Sequence, residues 1–318
     1  MRHIRLLAIV AVVLAALVAV PFVIFRTRPP VLIVTDAPFA ALYGSAHLRQ
    51  QQADAARALF RQVKPVMIAD GAGADVVSLA IREAAAQPLC VLFPRTQAAA
   101  ALYFHEQFPE IPAVLLRGLA SVPEIPSPDD SLYVYSTDNM TDLYRAGLFA
   151  AILGAIPQKP VQKTEKQVES AVVPPTSVPK TYVLWQNRSV QAAGRELFSQ
   201  GVQEQDPESV IIFVNNGAEM PDMRGISCLV LTSAGAEYFE KNPRMPLILF
   251  SWLNPELAAQ ELMVLFDDSV WALAVPAVRM AALRQTEGKI PSKPLIFSEK
   301  IADNSVFRSL KKSAKKVP

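Results

Sequence analysis

The sequence predicts an α/β protein of two similar lobes, each built on a mainly parallel β-sheet. The first observation is an alternation of short apolar runs with longer amphipathic stretches, over residues 31–116 and again over residues 181–297. Strands that alternate with helices in this way need right-handed crossovers, which build a parallel sheet. The second observation is residues 132–154, where a strand, a polar turn and a helix stand almost midway along the folded part. A chain of 318 residues is long enough for two such lobes.

The first lobe begins with residues 31–35, a continuous apolar run typical of a strand that is buried on both faces. Residues 36–39 are predicted to form a loop at the carboxyl end of this strand. The predicted strands of this lobe are 31–35, 66–69, 89–93 and 113–116, and the predicted helices are 44–63, 75–86 and 96–108.

Residues 132–154 are predicted to be the first crossing between the lobes. Residues 132–135 form a β-rich run, and the next four residues (Ser136, Thr137, Asp138 and Asn139) have side chains that bond locally to backbone, as turns and helix caps do. From Met140 onward, apolar and small residues recur at helical spacing. We expect three crossings in all, and the most favoured place for a site is the cleft between the lobes.

The second lobe repeats the alternation. Its predicted strands are 181–186, 209–214, 228–231, 246–250, 263–266 and 293–297, and helices are predicted at 189–204, 234–242, 255–262 and 270–286. Residues 157–180 hold five prolines and four lysines without any aromatic residue, so they are predicted to be a flexible insertion. We therefore predict lobe I as 31–135 plus 264–288, lobe II as 136–263 plus 289–305, and a basic tail at 306–318.

The amino terminus predicts the location of the protein. Residues 6–25 run for about 20 positions without a charge, long enough to span a bilayer. The sequence near Pro21 is a poor signal-peptidase site, so residues 1–30 are predicted to be an uncleaved signal anchor, a transmembrane helix, with its exit. A cleaved, soluble periplasmic form is the alternative. Either form delivers the folded part to the periplasmic side of the membrane.

Composition and motifs exclude several classes. The net charge of +2 offers no electrostatic footprint for nucleic acid. The three histidines have no carboxylate or cysteine partner at ligand spacing, so no metal is predicted. Neither a nucleophile elbow nor a phosphate loop nor a dinucleotide fingerprint is present, so we predict no enzyme activity and no cofactor. Cys90 and Cys228 lie in apolar strand-like runs and are predicted to be buried free thiols.

Candidate ligand-binding residues follow predicted strands or stand at the predicted crossings. In open α/β sheets ligands bind outside the carboxyl ends of the strands. We predict contacts from Asp36, Phe39, Asp70, Asp138, Asn139, Trp185, Asn187, Arg188, Asn215, Ser233, Trp252 and Asp267. For each residue an ordinary structural role stays open, and capping of the next helix is the favoured alternative for Asp267. We expect Trp185→Ala or Asp267→Ala to abolish binding with thermal stability nearly intact.

Three stretches carry a resemblance to a known family: STDNMTDLYRAGLFAAIL, PLILFSWLNPELA and FDDSVWALAVPAVRMAALRQTEGKIP. They resemble the type I periplasmic-binding-protein fold, shared by extracytoplasmic solute-binding proteins and the effector domains of lactose-repressor-type regulators. Residues 144–147 are weakly similar to the nucleoside-binding basic membrane protein branch. The chain departs from the family in the insertion 157–180, in the short polar stretch 216–225, and at Trp252, where the family has an acidic ligand contact.

Together with the predicted anchor, the resemblance implies a membrane-anchored solute-binding protein that closes its lobes on a small polar or ring-bearing ligand, of nucleoside or sugar type. Its partners would be that small molecule, the membrane, and an ABC permease or a membrane sensor. The alternative is a non-transport sensory or scaffolding ectodomain with a degenerate version of the fold, which the shortened stretch 216–225 favours. An α/β enzyme with an unseen site is a third, weaker option.

Overall fold

The computed structural model of the chain describes residues 23–117, 130–155, 179–186, 192–215, 225–232, 246–250 and 263–296. The chain forms two compact units. Unit 1 consists of Met1–Thr137 and Ser269–Ile290, and unit 2 of Asp138–Asp268 and Pro291–Pro318. The chain therefore passes from one unit to the other three times, after Thr137, Asp268 and Ile290.

The described residues contain twelve strands in two sheets of six. In chain order the strands are β1 Val31–Asp36, β2 Val63–Ile68, β3 Cys90–Phe93, β4 Ala113–Leu116, β5 Leu132–Thr137, β6 Thr181–Gln186, β7 Val210–Asn215, β8 Ile226–Leu231, β9 Leu247–Phe250, β10 Met263–Asp267, β11 Glu287–Ile290 and β12 Lys293–Ile296. The helices are α1 Ala37–Tyr43, α2 Ser45–Leu59, α3 Ala74–Ala84, α4 Ala98–Gln107, α5 Asn139–Gly154, α6 Ala192–Gln205 and α7 Val270–Ala282.

The sheet of unit 1 has the strand order β11-β5-β4-β3-β1-β2, and all its neighbours are parallel. Side chains alternate between the two faces along each strand. One face, with Leu32 and Phe93, forms a buried apolar cluster with Ile81 of α3 and Phe104 of α4. On the other face α7 packs against β1, β3 and β4. Parallel sheets need this double cover, which explains the continuous apolar run of β1.

The sheet of unit 2 has the order β12-β10-β9-β8-β6-β7, and only β12 in this sheet is antiparallel to its neighbour. Helix α5 packs on β6, β8 and β9, where Phe149 meets the ring of Phe266 edge to face at 6.0 Å. The opposite face carries a second buried cluster that includes Val183, Trp185 and Leu265. Unit 2 is therefore also α/β, with a mainly parallel sheet, as the sequence predicted.

Helices α5 and α6 of unit 2 are in backbone contact at two glycines. A Cβ atom built on Gly147 would overlap the carbonyl oxygen of Phe198, and one built on Gly201 would overlap that of Tyr144. Backbone atoms cannot swing aside as flexible side chains do, so only glycine fits at either position. Helix α5 is otherwise rich in buried small and apolar residues, and this contact fixes it against α6.

We expect Gly201→Ala to lower the free energy of unfolding by about 3 kcal/mol, because the added methyl group forces the two helices apart. Urea unfolding followed by circular dichroism measures the change. Gly73→Ala is the matched control, since its added Cβ would meet only the far end of the flexible Asp75 side chain, at 2.7 Å. Equal midpoints for the two variants would contradict the proposed close contact.

The boundaries between the units differ from the prediction. Residues 264–267 were predicted in lobe I, but β10 pairs with β9 in the sheet of unit 2. Residues 289 and 290 were predicted in lobe II, but β11 pairs with β5 in the sheet of unit 1. Strand β11, EGKI, has a charged and mostly exposed sequence, so its pattern gave no strand signal. Pro276 lies inside α7.

The described part of the chain contains no helix that is both long and apolar enough to cross a bilayer. The predicted anchor, residues 6–25, lies almost wholly outside the described residues; of it only Val23, Ile24 and Phe25 are described, and they are helical. The predicted insertion and the predicted helices 234–242 and 255–262 also lie outside the described residues, apart from Pro179 and Lys180.

Candidate functional site

Polar groups meet at the carboxyl edge of the unit 1 sheet. Asp36, the last residue of β1, accepts hydrogen bonds from Thr96 Oγ1 at 2.5 Å and from Gln97 Nε2 at 2.6 Å. Thr96 and Gln97 belong to a short 3₁₀ turn that follows β3, the strand beside β1. A carboxylate has about four acceptor positions, so Asp36 keeps capacity for a further donor. The geometry thus brings two strand ends together around one half-buried carboxylate.

Phe39 lies next to this carboxylate along the chain, in a helix instead of the predicted loop. Pro38 stands in the first turn of α1, where its fixed φ suits a helix start. The half-buried ring of Phe39 stacks on Tyr43 at 4.8 Å, and Tyr43 meets His47 at 4.5 Å. The loop prediction was wrong because the helical segment is only seven residues long, too short to show a periodic pattern.

A second group of polar residues near this edge was not predicted. Arg117 directly follows β4, and its Nε atom is buried without a hydrogen-bond partner. Thr137 ends β5, is 4% exposed, and its Oγ1 atom is also buried and unpartnered. Buried polar groups are nearly always paired, so each of these atoms is a candidate for a polar ligand or water. The signal in the sequence was a polar residue at the end of a strand.

Thr35 at the same edge is fully satisfied. Its Oγ1 accepts a hydrogen bond from Trp271 Nε1 at 3.1 Å, and both side chains are buried. This bond joins the start of α7 to the end of β1. Asp70 follows β2 and is exposed, whereas Asp36 is bonded to the turn after β3 on the other side of β1. The structure therefore does not bring Asp70 into the group around Asp36.

In unit 2 the start of α5 carries two predicted residues. Asp138 is the N-cap, and its carboxylate accepts hydrogen bonds from Thr141 N at 3.3 Å and Thr141 Oγ1 at 2.7 Å. This is the structural role that the sequence left open for it. Asn139 begins the helix, and its Oδ1 atom is buried without a partner. Of the two, Asn139 is the one with an unsatisfied polar atom.

A buried carboxylate in α5 was missed by the sequence analysis. Asp142 is 0% exposed and accepts the backbone N–H of Ser292, at 3.0 and 3.1 Å from its two oxygens. Arg145 Nη1 donates to the carbonyl oxygen of the same Ser292 at 3.4 Å. Burial raises the pKa of Asp142 to about 7, against the lowering effects of the Ser292 hydrogen bonds and of Arg145. These two side chains fasten the segment that enters unit 2 at the third crossing.

Trp185 and Asp267 lie at or near the carboxyl ends of their strands, and both side chains are buried. Trp185 lies near the carboxyl end of β6, but it is 3% exposed and belongs to the apolar cluster of the sheet. Asp267 is the last residue of β10, fully buried, and stands opposite Lys293 of β12 in the antiparallel register. It does not cap α7, because that cap is Ser269, whose Oγ accepts from Ala272 N at 3.2 Å. The expectation that Trp185→Ala spares stability does not follow from this placement.

The remaining candidates lie in unit 2. Asn215 is exposed at the end of β7, where Arg195 Nη2 donates to its Oδ1 at 3.4 Å. The candidates outside the described residues are Asn187, Arg188, Ser233 and Trp252. Cys90 and Cys228 are free and buried, as predicted, and burial raises the pKa of Cys90 to about 12. Within the described ranges, no group of three histidine, cysteine or acidic side chains could hold a metal ion.

Comparison with solved structures shows which fold this is. An ABC transporter solute-binding protein from Conexibacter woesei superposes with a TM-score of 0.53 and 11% identity, over 91% of this chain and 95% of that chain. A transcriptional activator of the comK gene from Bacillus halodurans superposes with a TM-score of 0.50 and 13% identity, over 91% and 96%. No protein-family model matches the sequence, and no curated protein sequence is significantly similar to it.

The chain therefore has the type I periplasmic-binding-protein fold, and this part of the prediction is confirmed. At these identities the likeness defines the fold, and the ligand has to be argued from the site. The nucleoside-binding branch has no support in these comparisons and stays a prediction from residues 144–147.

Proposed function

We propose that the protein is an extracytoplasmic solute-binding protein without enzyme activity. The observation that carries the proposal is the carboxyl edge of the unit 1 sheet, where Asp36, Arg117 and Thr137 follow or end three strands of one sheet. This is the edge at which open α/β sheets bind ligands. The fold likeness to a solute-binding protein supports the same reading.

The ligand that these groups suit is small and polar, with hydroxyl or amide groups. Asp36 accepts hydrogen bonds, and the unpartnered Nε of Arg117 can only donate one. Phe39 offers an aromatic face beside Asp36, which suits a ring-bearing ligand such as a sugar or a nucleoside. A wrong ligand would leave such polar groups unpaired, at a cost of about 1–3 kcal/mol each, so the site is selective.

We further propose that residues 6–25 anchor the protein in the cytoplasmic membrane, with the folded part on the periplasmic side. The partners would then be an ABC permease or a membrane sensor. A protein with the cleaved, soluble form would deliver the same ligand by diffusion. Retention of the protein in the membrane after carbonate extraction, with an intact amino terminus, supports the anchor.

A sensory or scaffolding ectodomain is the second candidate. One observation favours it: both oxygens of Asp36 already accept hydrogen bonds from within the protein, so this carboxylate has a structural use without any ligand. The likeness in fold to a transcriptional activator is also compatible with a sensing role. The two candidates differ in whether Asp36 contributes to ligand affinity.

We expect Asp36→Asn to weaken binding of the co-purifying ligand about 10- to 100-fold. A hydrogen bond to a charged group contributes about 1.5–3 kcal/mol, and the amide keeps the size of the side chain while losing that charge. Mass spectrometry of the purified protein identifies the ligand, and calorimetric titration of the stripped protein measures the affinity.

The matched control for this measurement is Asp130→Asn, an exposed carboxylate before β5, at the opposite edge of the same sheet. It should leave the affinity unchanged. Equal affinities for both variants and the parent protein, or a protein that carries no ligand, would favour the scaffolding role.

A further inference from the structure

The amino edge of the unit 1 sheet carries a surface that the proposed ligand site does not use. Three segments meet there: residues 23–30 before β1, residues 57–62 at the end of α2 and before β2, and residues 279–284 at the end of α7. Arg61 Nη1 donates to Pro29 O at 3.4 Å, Gln62 Nε2 to Arg26 O at 3.4 Å, and Arg279 Nη2 to Ala58 O at 3.4 Å. These bonds join the three segments, which we call the amino-edge surface.

The amino-edge surface exposes large apolar side chains. Leu283 is 71% exposed, Val23 55%, Phe60 44% and Ile24 38%. Among the described residues these are four of nine exposed large apolar side chains, so nearly half of them fall on three short segments. Phe60 has a φ of 50° and closes α2 in the left-handed conformation. Its ring meets Phe25 at 6.0 Å, which docks the amino-terminal segment on it.

The same surface is basic. Its six arginines are Arg26, Arg28, Arg57, Arg61, Arg279 and Arg284. The carboxylates next to the three segments along the chain are Asp54, which lies 3.4 Å from Arg57, and Glu287, and the exposed Asp130 lies before β5 at the same edge of the sheet. Arg28 lies over the Phe60 ring at 5.4 Å, and Arg61 and Arg279 donate to carbonyl oxygens, contacts that hold these side chains without neutralising their charge. Exposed apolar groups ringed by arginines suit the headgroup region of an anionic bilayer.

We propose that the amino-edge surface is a membrane-contact surface that binds anionic lipid headgroups. The inference rests on the proposed membrane anchor, because the uncharged run 6–25 ends on this surface and Val23 and Ile24 belong to both. The strands of the sheet lead away from it. Strand β1 has six residues, so Asp36 at its far end lies about 20 Å from this edge, and a bilayer at the amino edge does not contact the proposed ligand site.

The test uses the full chain in lipid nanodiscs made of phosphatidylcholine, with or without phosphatidylglycerol. Leu283→Cys receives a bimane label, and lipids with spin-labelled headgroups quench it on contact. Val76→Cys is the matched control: Val76 is 53% exposed in the first turn of α3, which starts at the carboxyl edge of the same sheet. The native cysteines are buried with raised thiol pKa values, so they do not compete for the label.

We expect strong quenching at position 283, weaker quenching there without phosphatidylglycerol, and none at position 76. The double variant Arg57→Gln, Arg284→Gln should reduce quenching at 283, because each arginine near an anionic surface changes binding about fivefold. Equal quenching at 283 and 76, in a chain that is embedded in the disc, overturns the proposed membrane-contact surface. That result does not contradict the proposed membrane anchor. If the chain proves soluble, the same labelled proteins are mixed with phosphatidylglycerol vesicles, and no quenching at 283 overturns the proposal.

Ligand affinity is measured on the same nanodiscs. If the protein binds its ligand but shows no quenching at 283, the membrane-contact surface is contradicted and the proposed function stands. If the protein binds no ligand but shows quenching at 283 and none at 76, the proposed function is contradicted and the membrane-contact surface stands.

Discussion

Trp185→Ala should lower the free energy of unfolding by about 3–5 kcal/mol, the range for removal of a buried large aromatic side chain. Trp185 is 3% exposed and belongs to the buried cluster that includes Val183, Leu231 and Leu265. Loss of the indole ring leaves a cavity between these side chains. Urea unfolding of the full chain, followed by far-ultraviolet circular dichroism, measures the change.

Trp185→Phe is the matched control, because it keeps most of the buried apolar volume and should cost much less than the alanine variant. If Trp185 were a wall of the ligand site, as the sequence predicted, Trp185→Ala would instead reduce affinity with little change in unfolding. Stability within about 1 kcal/mol of the parent protein, together with lost binding, would restore that interpretation.

Between pH 4 and pH 8, Asp142→Asn should gain about 4 kcal/mol in free energy of unfolding relative to the parent protein. The figure follows from the raised pKa of Asp142, at about 1.4 kcal/mol per pKa unit. Burial raises the pKa of Asp142 from 3.8 to about 7 in the folded chain. Between these two values the folded chain holds a proton that the unfolded chain has released. The stability of the parent protein therefore falls as pH rises from about 4 to 7 and is level above that.

The charged groups around Asp142 shift its pKa in opposite directions. Arg145, which also donates to Ser292 O, lowers its pKa, and Asp138 raises it. The amide that Asp142→Asn introduces would keep an acceptor for the Ser292 N–H without titrating. We therefore expect the variant to gain stability relative to the parent protein as pH rises, most of it between pH 4 and 7.

Thermal unfolding at several pH values measures this difference. Asp54→Asn is the control, because it makes the same carboxylate-to-amide change on the surface of α2, beside Arg57. If stability depends on pH in the same way in the parent protein and in Asp142→Asn, the raised pKa of Asp142 is contradicted.

The class of fold followed from local pattern because strands that are buried on both faces are largely apolar along their length. Strands β1, β4, β6 and β9 are of this kind, and the sequence predicted each of them within one residue. Strand β11 is an edge strand with two charged residues among four, held by its pairing to β5, and no local pattern marks it. The crossing points were misplaced for the same reason, since sheet pairing and not periodicity assigns β10 and β11 to their units.

The candidate site was predicted in part. Because ligands bind beyond strand ends, the sequence selected Asp36 and Phe39, and the structure places both at the carboxyl edge of unit 1. It could not decide what Trp185 and Asp267 face, since a residue at a strand end points to the core or to the edge according to sheet twist and neighbouring helices. It also passed over Asp142, which looks like an ordinary helix residue until Ser292, 150 positions later, is folded against it.

The sequence by itself determined the alternation of elements, the doubly covered strands and the near-neutral charge, because each depends on composition or on residues close together in the chain. Only the tertiary structure decided the hydrogen bonds of Asp36 with Thr96 and Gln97, the close contact of Gly147 and Gly201 with the facing helix, and the gathering of arginines at the amino edge. Each of these joins residues that lie far apart in the chain. Their distance in space is set by how the strands order themselves within a sheet and how the helices pack on it, which no local pattern records.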